Sequence, residues 1–204
     1  DVTSNGSLDA FVAKMSSAGS ALLYSTYVGG SSADYALSVA SDAQGRASVG
    51  GATLSGNFPT TAGALKTTYG GNQDGFVAQL QPDGSGLAFS TYLGGIYGES
   101  VNAVAVDTID RIYAAGATGS PDFPATPGAF DTTKEVTDCF VARFIGGSGT
   151  LDYSTFIGGG SYEDAYGLAV DAQGAAAACG YTRSIDFPAT WDAFDTTGPP
   201  WAGG

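Results

Sequence analysis

The chain has 204 residues, a net charge of −13 and no histidine. The missing imidazole removes Ser-His-Asp and Cys-His catalytic sets and His-ligated metals, and seven scattered basic residues give no footprint for nucleic acid. No apolar run reaches the ~20 residues of a membrane span, so membrane insertion is not expected.

Residues 1–8 (DVTSNGSL) are polar and read as a linker. Residues 9–30 (DAFVAKMSSAGSALLYSTYVGG) read as two strands around a Ser/Gly turn. Phe11, Ala13 and Met15 fall on one face and Val12 and Lys14 on the other, the period-two pattern of a packed sheet. Residues 34–54 give a second hairpin, turning at Ala43-Gln44-Gly45, where Gly supplies positive φ. A long loop at 55–73 carries Asn57-Phe58-Pro59.

The pattern then starts again. DGFVAQL at 74–80 and DCFVARF at 138–144 repeat the first strand; LAFSTYL and LDYSTFI repeat LLYSTYV. Asp9, Asp74 and Asp138 are 65 and 64 residues apart, and the same intervals separate Tyr24, Phe89 and Tyr153; Asp42, Asp107 and Asp171; and Phe58, Phe123 and Phe187. Landmarks holding one register mark tandem structural units. The repeats run over about 9–73, 74–137 and 138–204 within a single domain, and 198–204 (GPPWAGG) reads as a second linker. No helical periodicity occurs. The 32 glycines, without a G-X-Y period, indicate tight turns.

Four short strands per repeat are the signature of a β-propeller blade. The fold expected is all-β: a propeller of three four-stranded antiparallel repeats. Small residues crowd the VNAVAVD-type strand, which suits the innermost position; the YSTY-type strand would be outermost. The phase is offset, since the chain opens on an outer half-blade and closes on an inner one. One blade is therefore split between the N- and C-termini, and its halves need a mate or leave two sheet edges unpaired. The chain's own N-terminal strands could complete it in a closed ring, or a neighbouring molecule's strands in a polymer. The junction has 30 residues, 183–204 plus 1–8, against 20 and 19 at the intact ones, so it has slack to reach a neighbour.

The strings DAFVAKM, YSTYVGG, the AVD-turn-strand hairpin and DFPATPGAF resemble the bacterial SBBP family of seven-bladed β-propeller repeats over nearly the whole chain. The resemblance implies a propeller module of large secreted or surface bacterial proteins, and supplies no shared catalytic residues. The chain does not begin with Met, so a processed protein or a segment of a longer one is expected.

Candidate sites are few. Asp42, Asp107 and Asp171 could offer oxygens to calcium, as could Asp34, Glu99, Glu163 and Asp164; the simpler role is to accept backbone N–H bonds in turns. Glu163-Asp164 and Asp107/Asp110 are the nearest approach to a glycosidase carboxylate pair, but their recurrence across repeats argues for a structural role. No enzyme activity and no cofactor other than calcium is expected. Cys139 and Cys179 could form a disulfide or be two buried small hydrophobes. Tyr24, Tyr27, Tyr92 and Tyr153 could line glycan-binding clefts between blades or simply pack there. Trp191 and Trp201 break the repeat and are candidate partner contacts. The function expected is a structural, extracellular or cell-surface module assembling with copies of itself. A carbohydrate- or protein-binding, adhesive propeller is the alternative.

Overall fold

Three of the six hairpins turn on a short aspartate-led loop. Asp42 accepts the Arg46 amide at 2.8 Å, Asp107 the Arg111 amide at 2.8 Å and Asp171 the Ala175 amide at 2.8 Å. The last turn residue is left-handed each time: Gly45 (φ 81°), Asp110 (φ 68°) and Gly174 (φ 86°). Aspartate is among the side chains that tolerate this region.

The computed structural model describes residues 3–198. They hold twelve strands and no helix: β1 (Ala10–Met15), β2 (Leu22–Val28), β3 (Asp34–Ser41), β4 (Ala47–Thr53), β5 (Asp74–Leu80), β6 (Leu87–Leu93), β7 (Glu99–Val106), β8 (Arg111–Thr118), β9 (Asp138–Ile145), β10 (Thr150–Ile157), β11 (Glu163–Val170) and β12 (Ala176–Thr182). All ladders between strands are antiparallel. They form two complete sheets, β3-β4-β5-β6 and β7-β8-β9-β10, and two half sheets, β1-β2 and β11-β12. The all-β class and the offset phase are as the sequence predicts. No ladder joins β1 to β12, and the four sheets are not closed into a barrel or propeller.

The repeats share more than strand order. The second hairpin of each has a bulge, between Ala36 and Ser38, Val101 and Ala103, and Ala165 and Gly167. Opposite it sit Gly51, Gly116 and Gly180, where a Cβ would collide with the carbonyl oxygens of Tyr35, Ser100 and Asp164 respectively. Only glycine lets the backbones approach so closely.

The sheets stack in chain order. Val12 and Val28 of the first half sheet pack against Val49, Phe76, Ala78 and Tyr92. Val77, Phe89 and Leu93 on the opposite face pack against Ile112, Phe140 and Phe144 of the next sheet. Ala115, Cys139 and Val141 then meet Ala165 and Leu168 of the last half sheet. The face alternation read along β5 is therefore real, but both faces are covered, and every residue of β5 is buried. β7 packs against β3 on one side and β11 on the other, which places the small-residue strands together on the inside of the stack.

The loop after each complete hairpin pair is not slack chain. Phe58 lies on Phe76 with ring centroids 4.4 Å apart, and Phe123 on Phe140 at 4.5 Å. The loop backbones then run along the outer strand, Thr61 N donating to Ser90 O and Thr126 N to Ser154 O, both at 3.0 Å.

Candidate assembly interface

Three acids close the Gly-Gly turns. Asp34 accepts from Gly30 N at 2.7 Å and from the Ser55 hydroxyl at 2.9 Å, and also from Thr53. Glu99 repeats this with Gly95 N at 2.8 Å, Thr118 at 3.0 Å and Ser120. Glu163 does so with Gly159 N at 3.0 Å, Thr182 at 2.7 Å and Ser184. Their oxygens are committed to holding the chain. Asp164, the neighbour of Glu163, accepts from Asn102 at 2.7 Å across the inner strands.

The calcium candidates Asp42, Asp107 and Asp171 lie in three separate turns, each capping its own hairpin. Among the described residues no three acidic or thiol groups converge as a metal site would require. Asp42 and Asp107 also pair with Arg46 and Arg111 four residues on. Burial works against the charge of Asp42, but the Arg46 amide and guanidinium outweigh it and hold the carboxyl below its ordinary range. The turn-capping role is the one the geometry supports.

A second set of acids behaves differently. Asp74 and Asp138 are buried at the starts of β5 and β9, and in each Oδ1 has no partner. Oδ1 of Asp138 and Oε2 of Glu163 lie 2.7 and 2.9 Å from the point a Cβ on Gly158 would occupy. Burial first, and then the charges of Glu163 and Asp131, push Asp138 up to about 6 against the pull of the Glu135 amide and Lys134. Burial likewise raises Asp74, where Lys66 Nζ at 3.3 Å partly offsets it.

The cysteines are free thiols. Cys139 is buried and donates to Ile157 O at 2.9 Å, whereas Cys179 is exposed. Burial pushes the Cys139 thiol up to about 12, so it is an inert core residue. Both line one cleft of about 290 Å³ with Ile157, Gly180 and Phe187; of the two alternatives the disulfide is not formed, and the buried-hydrophobe role holds for Cys139 but not for Cys179.

Of the tyrosines, Tyr92 is core, its hydroxyl donating to Ser55 O at 2.7 Å. Tyr153 lies under the Arg143 guanidinium, 4.6 Å from ring centroid to Cζ. Tyr24 rests against Gly84. Tyr27 lines a cleft of about 560 Å³ with Val28, Asn57, Pro59 and Leu80. Trp191 is 93% exposed; Trp201 lies outside the described residues.

A polar seam joins consecutive sheets that composition alone did not reveal. Lys14 donates to Gly45 O at 2.7 Å, Gln79 to Asp110 Oδ1 at 3.1 Å, and Tyr113 to Gly174 O at 3.0 Å. Each reaches the hairpin turn of the following sheet. Arg46 bridges Asp42 and Asp110. Lys14 and Gln79 hold the same place after the Phe-Val-Ala string, but Arg143, the third residue at that place, pairs with Asp152 of its own sheet, so the string alone does not mark the seam.

What remains open are the two ends of the stack. Phe11 is 67% exposed, while its counterparts Phe76 and Phe140 are 0% exposed. Met15, Leu22, Leu23, Leu37 and Val39 are exposed around it. At the other end β12 has no strand on its outer edge among the described residues, whereas its counterparts β4 and β8 pair with β5 and β9.

The chain matches no protein-family model and no curated protein.

The two ends can form a ladder: one end presents a strand with large apolar side chains, and the other presents a bare edge of small ones.

Proposed function

We propose that this chain is a structural, non-catalytic β-propeller-type module, extracellular or at a cell surface, that joins copies of itself into a fibre or tandem array by completing the split sheet. The observation that carries the reading is the mismatch between twins: β1 and β12 lack each other, while every counterpart pair is joined. Unpaired edges beside exposed apolar residues are a template for association, and strand addition is an established mode of recognition. Head-to-tail contacts that do not close give open polymers. The propeller geometry itself rests on the four-stranded repeat and on the packing of β7 between β3 and β11. The extracellular setting rests on the resemblance to secreted repeat proteins and on the Ser-, Thr- and Gly-rich composition. The non-catalytic role is supported by the repetition of the buried acids Asp34, Glu99 and Glu163, which close equivalent turns in each repeat.

Sedimentation velocity over a hundredfold range of protein concentration tests this. Assembly predicts species heavier than a monomer that grow with concentration, and more so with added salt, which screens the −13 charge of each copy. A single monomer boundary throughout would overturn it.

A second reading, an adhesive glycan-binding module, is favoured by the cleft beside Tyr27, Asn57 and Pro59. Its apolar and amide lining suits a sugar face. A glycan array would remove that reading if nothing were retained.

A further inference from the structure

The two intact junctions pair in one register. Thr53 faces Asp74 and Thr118 faces Asp138; Gly51 faces Phe76 and Gly116 faces Phe140; Gly50 faces Val77 and Ala115 faces Val141. β12 has the same bulge on its inner side and the same pinched glycine, Gly180. Its edge is therefore shaped as β4 and β8 are shaped.

We propose that β12 of one copy takes β1 of a second copy in this same register, with Thr182 opposite Asp9, Gly180 opposite Phe11, Cys179 opposite Val12, Ala178 opposite Ala13 and Ala176 opposite Met15. The proposal rests on the self-assembly reading and specifies its joint. Phe11 of the incoming strand fills the cleft beside Phe187, Ile157 and Gly180. Phe140 stands in the same relation to Phe123, Leu93 and Gly116, and it is fully buried.

The loop after β12 completes the joint. In the intact repeats Thr61 and Thr126 donate to Ser90 and Ser154 of the outer strand, and Lys66 O and Asp131 O accept from Tyr92 N and Phe156 N. The corresponding donor is Thr190, and its target is Ser25 on the partner's β2. Trp191 and Phe194 follow that contact and are exposed, as their counterparts Pro127 and Phe130 are in the intact repeat, so the joint rests on the strand register and not on these two rings.

The occupant is a second copy and not the chain's own strand. Val12 and Val28 are already packed against Val49 and Phe76 at the far end of the stack. β1 makes no ladder with β12, and moving it there would strip that interface.

Native Cys179 gives a direct test. In a Cys139→Ala background, Val12→Cys places a thiol opposite Cys179 of the next copy, within the Cβ separation a disulfide tolerates. Ala13→Cys places it one residue along, on the opposite face. Both proteins are checked for native circular dichroism and then oxidised mildly at a concentration where the parent assembles. The expected result is at least about tenfold more interchain disulfide with Val12→Cys than with Ala13→Cys. Crosslinking by Ala13→Cys instead would overturn the register while leaving self-assembly intact. Thiol loss in Val12→Cys without a change in mass would overturn the second copy in favour of ring closure. No crosslink in either, with assembly still seen by sedimentation, would overturn the strand joint; no assembly at all would overturn the underlying reading as well.

Discussion

Asp138 shows how a single residue constrains the pH behaviour of the stack. Its folded-state pKa is about 6 against an ordinary 3.8. Below about pH 4 the carboxyl is neutral in both states and costs nothing. As pH rises from there towards 6, the folded protein must give up a proton the unfolded chain has already lost, so stability falls; above 6 the cost is fully present. Asp138→Asn removes the charge and turns a donor towards Glu163. It should therefore unfold at higher urea than wild type at about pH 8, by on the order of 2–3 kcal/mol at ~1.4 kcal/mol per pKa unit, and converge with wild type near pH 4. Urea titrations at both pH values check this. Asp74, raised by burial in the same way but with Lys66 beside it, should show a smaller difference.

At the scale of the strand, twin positions separate what a sequence specifies from what its neighbours supply. Phe76 and Phe11 occupy the same place in the same string, yet one is buried and the other largely exposed. Phe76→Ala should cost about 3–5 kcal/mol of folding stability, the range for emptying a core aromatic site. Phe11→Ala should cost the monomer well under 1 kcal/mol, while weakening assembly by roughly 10- to 100-fold if burial of the ring contributes about 1.5–3 kcal/mol. Denaturant titration of the dilute protein gives the first pair of values, and the sedimentation midpoint gives the second. The strand positions were legible because the repeat fixes them: 74–80 matches β5, and 138–144 and the LDYSTFI string at 151–157 each fall short of β9 and β10 by one residue. The Asx-type capping by Asp42, Asp107 and Asp171 was also legible, since short acids at turns have a known use. The polar seam was not. It depends on which side chain from one sheet meets which turn of the next, as with Gln79 and Asp110, and sequence spacing carries no information on that. The state of Cys179 was hidden for a related reason: its exposure follows from the missing strand beside β12, not from its own neighbourhood in the chain. Leu8, read as the end of a linker, is tied down as well, its carbonyl accepting from Asp34 N at 2.8 Å.

On the scale of the whole molecule, the stack is complete in the middle and unfinished at both ends. The middle strands of the complete sheets, β4, β5 and β8, are covered on both faces; among the described residues the half sheets leave β12 without an edge partner and β1 with exposed Phe11 and Met15. The −13 charge opposes indiscriminate clumping, so a joint that forms must be specific and short-ranged. Hydrogen–deuterium exchange read on two segments, Ala10–Met15 and Ala176–Thr182, at low and high protein concentration tests this most directly. The account predicts that both exchange rapidly in the dilute protein and become protected together on concentration, approaching the protection of β4 and β5. Fast exchange of Ala176–Thr182 at every concentration, with β4 and β5 protected throughout, would contradict it.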